Sequence, residues 1–212
     1  SLKNTELLQQ IKLDNLTPIL EQKKGSRIFR PTLYDLLANR AIDYFNDDKS
    51  NLAEPSNAFS IDDKKYFATV SDFIKIKLND NDKNSQDYNA LKIYQDLLEF
   101  RLKDKVNVDA LADADLKRLQ FVKEHYYNKD ENETIYFDAL QRIKTEYAKC
   151  NTAATINYNI ANYINQKAQD KNVMNTFKVK DAIVICEETI KNYPETEGAK
   201  NCAALKVEIN HK

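Results

Sequence analysis

The chain is predicted to be all-α, a stack of antiparallel helical hairpins. Apolar residues recur at spacings of three and four through most of the 212 residues, the period of a helix with one buried face. Two glycines and four prolines leave almost no β-turn chemistry. A composition that is 31% charged and rich in Asn, Lys, Asp, Leu and Ala suits exposed helices better than a sandwich or barrel. Taken alone, these residues specify an architecture and no chemistry.

In chain order, Leu7, Leu8, Ile11, Leu16, Ile19 and Leu20 keep a helical period, interrupted at Asp14-Asn15 and Thr17-Pro18. One kinked helix or two short ones, with Pro18 at a first turn, are both compatible with it. Gly25 fits a helix C′ position in the polar break before Arg27. Residues 27–45, RIFRPTLYDLLANRAIDYF, are the most distinctive segment. Pro31 suits the first turn and Asp35 the positive dipole end. Leu33, Leu36, Leu37, Ala41 (or the stem of Arg40) and Tyr44 are expected to line the buried face. Arg27 and Arg30, at the loop, are the candidate contacts for a partner carboxylate, because a guanidinium fork matches that group; the plainer expectation is solvated arginines beside a core helix.

Residues 46–63 turn polar around Pro55 and are predicted to be a long loop, tucked down by Phe59 and Ile61. In KKYFATVSDFIKIKL, Tyr66, Phe67, Val70, Phe73, Ile74 and Leu78 fit a helix face, while FIKIKL also alternates like a strand. NDNDKNSQD closes this N-terminal segment, 1–80. Three hairpins are expected over 81–212, continuous with it as one helical domain. The first pairs 87–102 with 109–127, with Asp109 as N-cap. The second pairs 133–149 with 151–168, capped by Asn132 and Asn151. The last is the clearest: Val179, Ala182, Ile183, Cys186, Ile190 and Tyr193 share a face, Pro194 stops the helix, and Glu195 and Glu197 precede a second helix carrying Ala199, Cys202, Ala203, Leu205 and Ile209.

Internal repetition sharpens this. Ala90, Ala139 and Ala182 lie 49 and 43 residues apart, each followed four later by Tyr94, Ile143 and Cys186. The pattern resembles the second helix of a tetratricopeptide repeat (TPR), with Pro194 twelve after Ala182 and Asn151 twelve after Ala139. That implies a right-handed, TPR-like α-α superhelix. The repeat's first-helix signature of Trp, Leu, Gly and Tyr is missing, since the chain has no Trp and only Gly25 and Gly198.

A formal net charge of −1, with both signs mixed, supplies no field to gather phosphate backbones, so nucleic acid is not an expected partner. No apolar run approaches the roughly 18 residues of a membrane span. The chain opens on Ser1-Leu2 without methionine, so any targeting segment is expected outside it. No P-loop, G-x-G-x-x-G, G-x-S-x-G or HExxH is present, and no cofactor, metal or catalytic residue is expected. His125 is expected on the surface at a helix C-terminus. Glu187-Glu188 and Asp113-x-Asp115 point apart on a helix and are expected to be solvated. Cys186 and Cys202 each stand eight residues from Pro194, so an antiparallel hairpin turns them toward each other. A disulfide and two buried reduced thiols are both open on spacing alone.

SRIFRPTLYDLLANRAIDYF, then AFSIDDKKYFATVSDFIKIKL, then AIVICEETIKNYPETEGAKNCAALKVEI, in this spacing, resemble the N-terminal helical region of large bacterial alpha-2-macroglobulin-like proteins, over about a third of the chain. The resemblance implies a non-catalytic scaffold or protein-interaction module that precedes β-sandwich domains. It also implies an exported protein of the Gram-negative periplasm or cell envelope, often lipid-anchored, whose whole chain traps or inhibits proteases. The expected partners are then another protein or neighbouring domains of the same chain. An exported setting favours the Cys186–Cys202 bridge. The thioester Cys-Gly-Glu-Gln of some members is absent: Cys150 is followed by Asn-Thr-Ala and Cys186 by Glu-Glu-Thr. The competing expectation is a TPR-like glycan-binding lipoprotein of a nutrient-uptake system, with some of the 12 Tyr and 9 Phe lining a groove.

Overall fold

The computed structural model describes residues 4–17, 25–46, 59–170 and 177–211. These residues are all-α: α1 (Thr5–Gln10), α2 (Ser26–Phe29), α3 (Leu33–Phe45), α4 (Val70–Phe73), α5 (Gln86–Lys103), α6 (Val108–His125), α7 (Lys129–Glu146), α8 (Thr152–Gln169), α9 (Val179–Asn192) and α10 (Glu197–Asn210). Two 3-10 turns, Leu13–Leu16 and Lys64–Phe67, and two isolated bridges, Lys12 with Thr32 and Ile61 with Tyr126, complete them; no sheet forms among the described residues. Helices pack mainly on near neighbours in sequence, α5 on α6 and α9 on α10 among them.

Packing divides the chain after Glu133, inside α7, into units 1–133 and 134–212, so the N-terminal segment 1–80 falls in one unit with α5 and α6. The reason is that the segment after Ile61 is tied down by α5 and α6. Gln95 donates to the Phe73 and Ile76 carbonyls at 3.0 and 2.8 Å. Arg118 donates to the Tyr66 and Ala68 carbonyls at 2.6 and 3.0 Å. Because side chains satisfy these carbonyls, the segment needs neither a continuous helix nor a ladder. It forms a 3-10 turn and the short α4, with Tyr66, Phe67, Val70, Phe73 and Leu78 buried as expected. Ile61 is fully buried and Phe59 meets Tyr66 and Tyr88 edge-on, the tucking foreseen for the loop's end. Residues 47–58 of that loop, Pro18 and residues 171–176 lie outside the described residues.

The N-terminal stretch is two short elements, α1 and a 3-10 turn. Gly25 is left-handed, φ 82°, and stands at the N-cap of α2. Residues 27–45 break at Arg30-Pro31, so the long helix starts only at Leu33. Thr32 caps it with a capping box closed by Asp35. The buried face of α3 is Tyr34, Asp35, Ala38, Asn39 and Ile42, not the leucine stripe expected, and Tyr44 is exposed. The helix is rotated because Asp35 turns inward to an arginine. Two caps also differ: Asn107, not Asp109, caps α6, and Asn132 lies within α7, its amide donating to the Lys123 carbonyl at 2.9 Å. Asn151 stands at the expected N-cap position of α8, without a side-chain capping bond.

In the second unit α8, α9 and α10 pack on one another. Ala182, Cys186 and Thr189 of α9 and Gly198, Ala199, Cys202 and Leu205 of α10 are buried, while Ala203 is exposed. Thr196 accepts from the Ala199 N–H at 3.2 Å and caps α10. Gly198 presses on α8: a Cβ there would lie 2.2 Å from the carbonyl carbon of Ala154.

Candidate functional site

The expected partner contacts, Arg27 and Arg30, lie in the single turn of α2 and at its C-cap. The Arg27 side chain is only 15% exposed, with the Asp14 carboxylate 3.6 Å from its Nε. Its Nε and Nη2 are buried and make no hydrogen bond among the described residues. Those two N–H groups form the guanidinium edge that takes a carboxylate in two-point fashion. Buried donors without acceptors are costly, so this edge is the described feature best suited to gain from an incoming anion. Ile28 beside it is 46% exposed. Arg30 is half-buried.

A second arginine is saturated. Arg101, in the last turn of α5, donates from Nε and Nη2 to the two Asp35 oxygens at 2.7 and 2.5 Å, and from Nη1 to Asp104 at 2.7 Å. Thr32 joins at 3.2 Å, and the guanidinium lies 4.1 Å from the Phe100 ring centroid. Every face is occupied, so the cluster is a clamp between α3 and α5 rather than a reactive centre. The neighbouring Tyr34 hydroxyl is pushed up to about 12, chiefly by burial and then by Asp96, Asp35 and Glu99.

Arg118 repeats the arrangement on α6. It is fully buried, pairs with Asp115 and lies 4.6 Å from the Phe73 ring centroid. Asp115 is therefore buried and paired, correcting the expectation of a solvated Asp113-x-Asp115 face. His125 ends α6 near the surface as expected, half-buried, its ring stacked on Phe121 at 4.2 Å, with Nδ1 2.7 Å from Asp87 and Nε2 2.8 Å from Asn46. An arginine at a helical position between leucines, as at Arg101 after Leu97 and Leu98, was the available signal; periodicity counts it as polar and assigns it to solvent. Glu187 and Glu188 are exposed as expected.

Cys186 and Cys202 face each other across α9 and α10, both fully buried and unbridged. Interaction with the Cys202 sulfur and burial push the Cys186 thiol up, while interaction with Cys186 holds Cys202 below the usual thiol range against burial. Cys150 is buried apart from them, its thiol donating to the Tyr147 carbonyl at 3.2 Å.

No group of three or more His, Cys, Asp or Glu residues able to hold a metal occurs among the described residues. No described helix is long and apolar enough to cross a membrane. The class these features define is an all-α protein of packed helical hairpins with buried arginine clamps. No family model, no curated protein and no solved structure matches the chain.

Proposed function

We propose that this chain is a non-catalytic helical scaffold that docks a protein partner, the N-terminal module of an envelope protein of the alpha-2-macroglobulin-like kind. The observation that carries the docking is the Nε/Nη2 edge of Arg27, beside exposed Ile28 and faced by the Asp14 carboxylate at 3.6 Å, while Arg101 and Arg118 are consumed internally. A partner carboxylate reaching that edge would displace Asp14 and supply the hydrogen bonds it does not make among the described residues. The envelope setting, and protease trapping or inhibition by the whole protein, rest on the resemblance of SRIFRPTLYDLLANRAIDYF and the two later segments. A right-handed TPR-like superhelix is the proposed arrangement of the hairpins, supported by the spacing of Ala90, Ala139 and Ala182.

The test immobilises the chain and its Arg27→Gln variant, checked for equal helicity, and passes envelope extract over both. A partner identified on the first and lost on the second, then titrated as a purified protein, supports docking. Equal recovery, or none, sinks it. Heat on titration with a polysaccharide panel would instead favour the glycan-binding lipoprotein.

A further inference from the structure

We propose that Cys186 and Cys202 are an oxidisable pair, and that closing them to a disulfide locks α9 onto α10 without rearranging the hairpin. The geometry comes first. The two residues are placed symmetrically about Pro194, on the helices α9 and α10 that pack on each other, and both side chains are fully buried. Helices ordinarily pack with axes roughly 8 to 10 Å apart, too far for many bridges, which need Cα atoms within roughly 4.4 to 6.8 Å. Here the buried residues are mostly small, Ala182, Cys186 and Thr189 on α9 and Ala199 and Cys202 on α10, with Leu205 large and Gly198 turned to α8. Such a seam permits close approach. Lys206 and Glu187, 2.8 Å apart, pin the same helix pair beside it.

The chemistry is thiol–disulfide exchange with a small disulfide such as oxidised glutathione. One of the two cysteines, after losing its proton to solvent, attacks as thiolate and expels one glutathione thiolate, leaving a mixed disulfide. The other then loses its proton and attacks the protein sulfur of that mixed disulfide, expelling the second glutathione as thiolate. Two electrons pass to the reagent, and the protein loses two hydrogens. Full burial excludes the reagent from the closed hairpin, so exchange proceeds while α9 and α10 are apart, during folding or in a local opening. The inference holds in any compartment; an oxidising one would keep the pair closed.

The test refolds the full 212-residue chain from reducing denaturant into a glutathione redox buffer and compares it with chain kept reduced. The expected product is lighter by two hydrogens, keeps one titratable thiol in denaturant, and yields a Cys186–Cys202 peptide after digestion. Its Tm should exceed that of the reduced chain by about 5 to 10 °C. Native chain given the same buffer should oxidise far more slowly. Cys150→Ala should still close the bridge, and Cys202→Ala, checked for helicity, should not. Three titratable thiols after refolding, a bridge to Cys150, or a bridged chain that melts lower than the reduced one would each overturn the proposal.

Discussion

Arg101 and Asp35 meet across the α3–α5 interface as a two-point pair, Nε to Oδ1 at 2.7 Å and Nη2 to Oδ2 at 2.5 Å, with both side chains almost wholly buried. Asp35 also accepts from the Thr32 N–H and hydroxyl at 2.8 and 2.7 Å, so one carboxylate caps α3 and binds α5. Removing either partner strands the other charge in the interior. Arg101→Met or Asp35→Asn should each cost about 3–5 kcal/mol in urea unfolding. The double variant Arg101→Met/Asp35→Leu should cost well under the sum, because no charge is stranded. Additive losses would mean the pair is not energetically coupled.

The two glycines should answer differently to alanine. At Gly198 the new Cβ meets α8 backbone, 2.2 Å from the Ala154 carbonyl carbon and 2.4 Å from the Thr155 nitrogen, and backbone cannot step aside. Gly198→Ala should cost at least about 3 kcal/mol. Gly25→Ala meets nothing within 4 Å, so only the left-handed φ of 82° resists, at about 1 kcal/mol. Equal losses in denaturant titrations would refute the close approach of α10 to α8.

Glu195 is a non-glycine residue at φ 69° in the turn after Pro194, where the Thr196 N–H donates to the Tyr193 carbonyl at 3.4 Å. Its Cβ is strained there and glycine's absence of one is not. Glu195→Gly should raise stability by about 0.5–1 kcal/mol, the relieved strain exceeding glycine's extra unfolded entropy. A lower Tm would show the turn is not left-handed at this position.

Acid should loosen the α5–α6 corner. Burial pushes the Asp104 carboxyl up, but the Asn107 amide, the Val106 N–H and Arg101 outweigh it and hold the group below its ordinary value. A depressed folded pKa stabilises the protein above the unfolded value, near about 3.9, and that contribution is lost as pH falls through the folded pKa. Asp104→Asn should therefore be less stable at neutral pH, and its stability should fall less steeply below about pH 4 than that of the parent chain. Parallel acid-unfolding curves would contradict this.

The sequence was legible where apolar residues alone decide burial. The α9–α10 hairpin, the stop at Pro194, and α5, α6 and α8 follow from period and punctuation, because one buried stripe per helix is a local property. It was misleading where a polar group is bought inward by a distant partner. Asp35 rotates α3 toward Arg101, 66 residues away, and Arg118 holds Tyr66 and Ala68, 52 and 50 residues away. No window around Asp35 or Arg118 contains those partners. The candidate site divides the same way: Arg27 and the Cys186–Cys202 symmetry are visible as residues, but the burial of Arg27 beside Asp14 is not.

What the residues by themselves determined is the class of fold and its hairpin punctuation, since helical period, proline stops and scarce glycine act within a few residues of chain. What only the tertiary structure decided is which arginines have every donor hydrogen-bonded and which does not among the described residues, and that Cys186 and Cys202 are both fully buried. Those depend on groups brought together from remote positions, where burial turns a hydrogen bond from an exchange with water into a requirement.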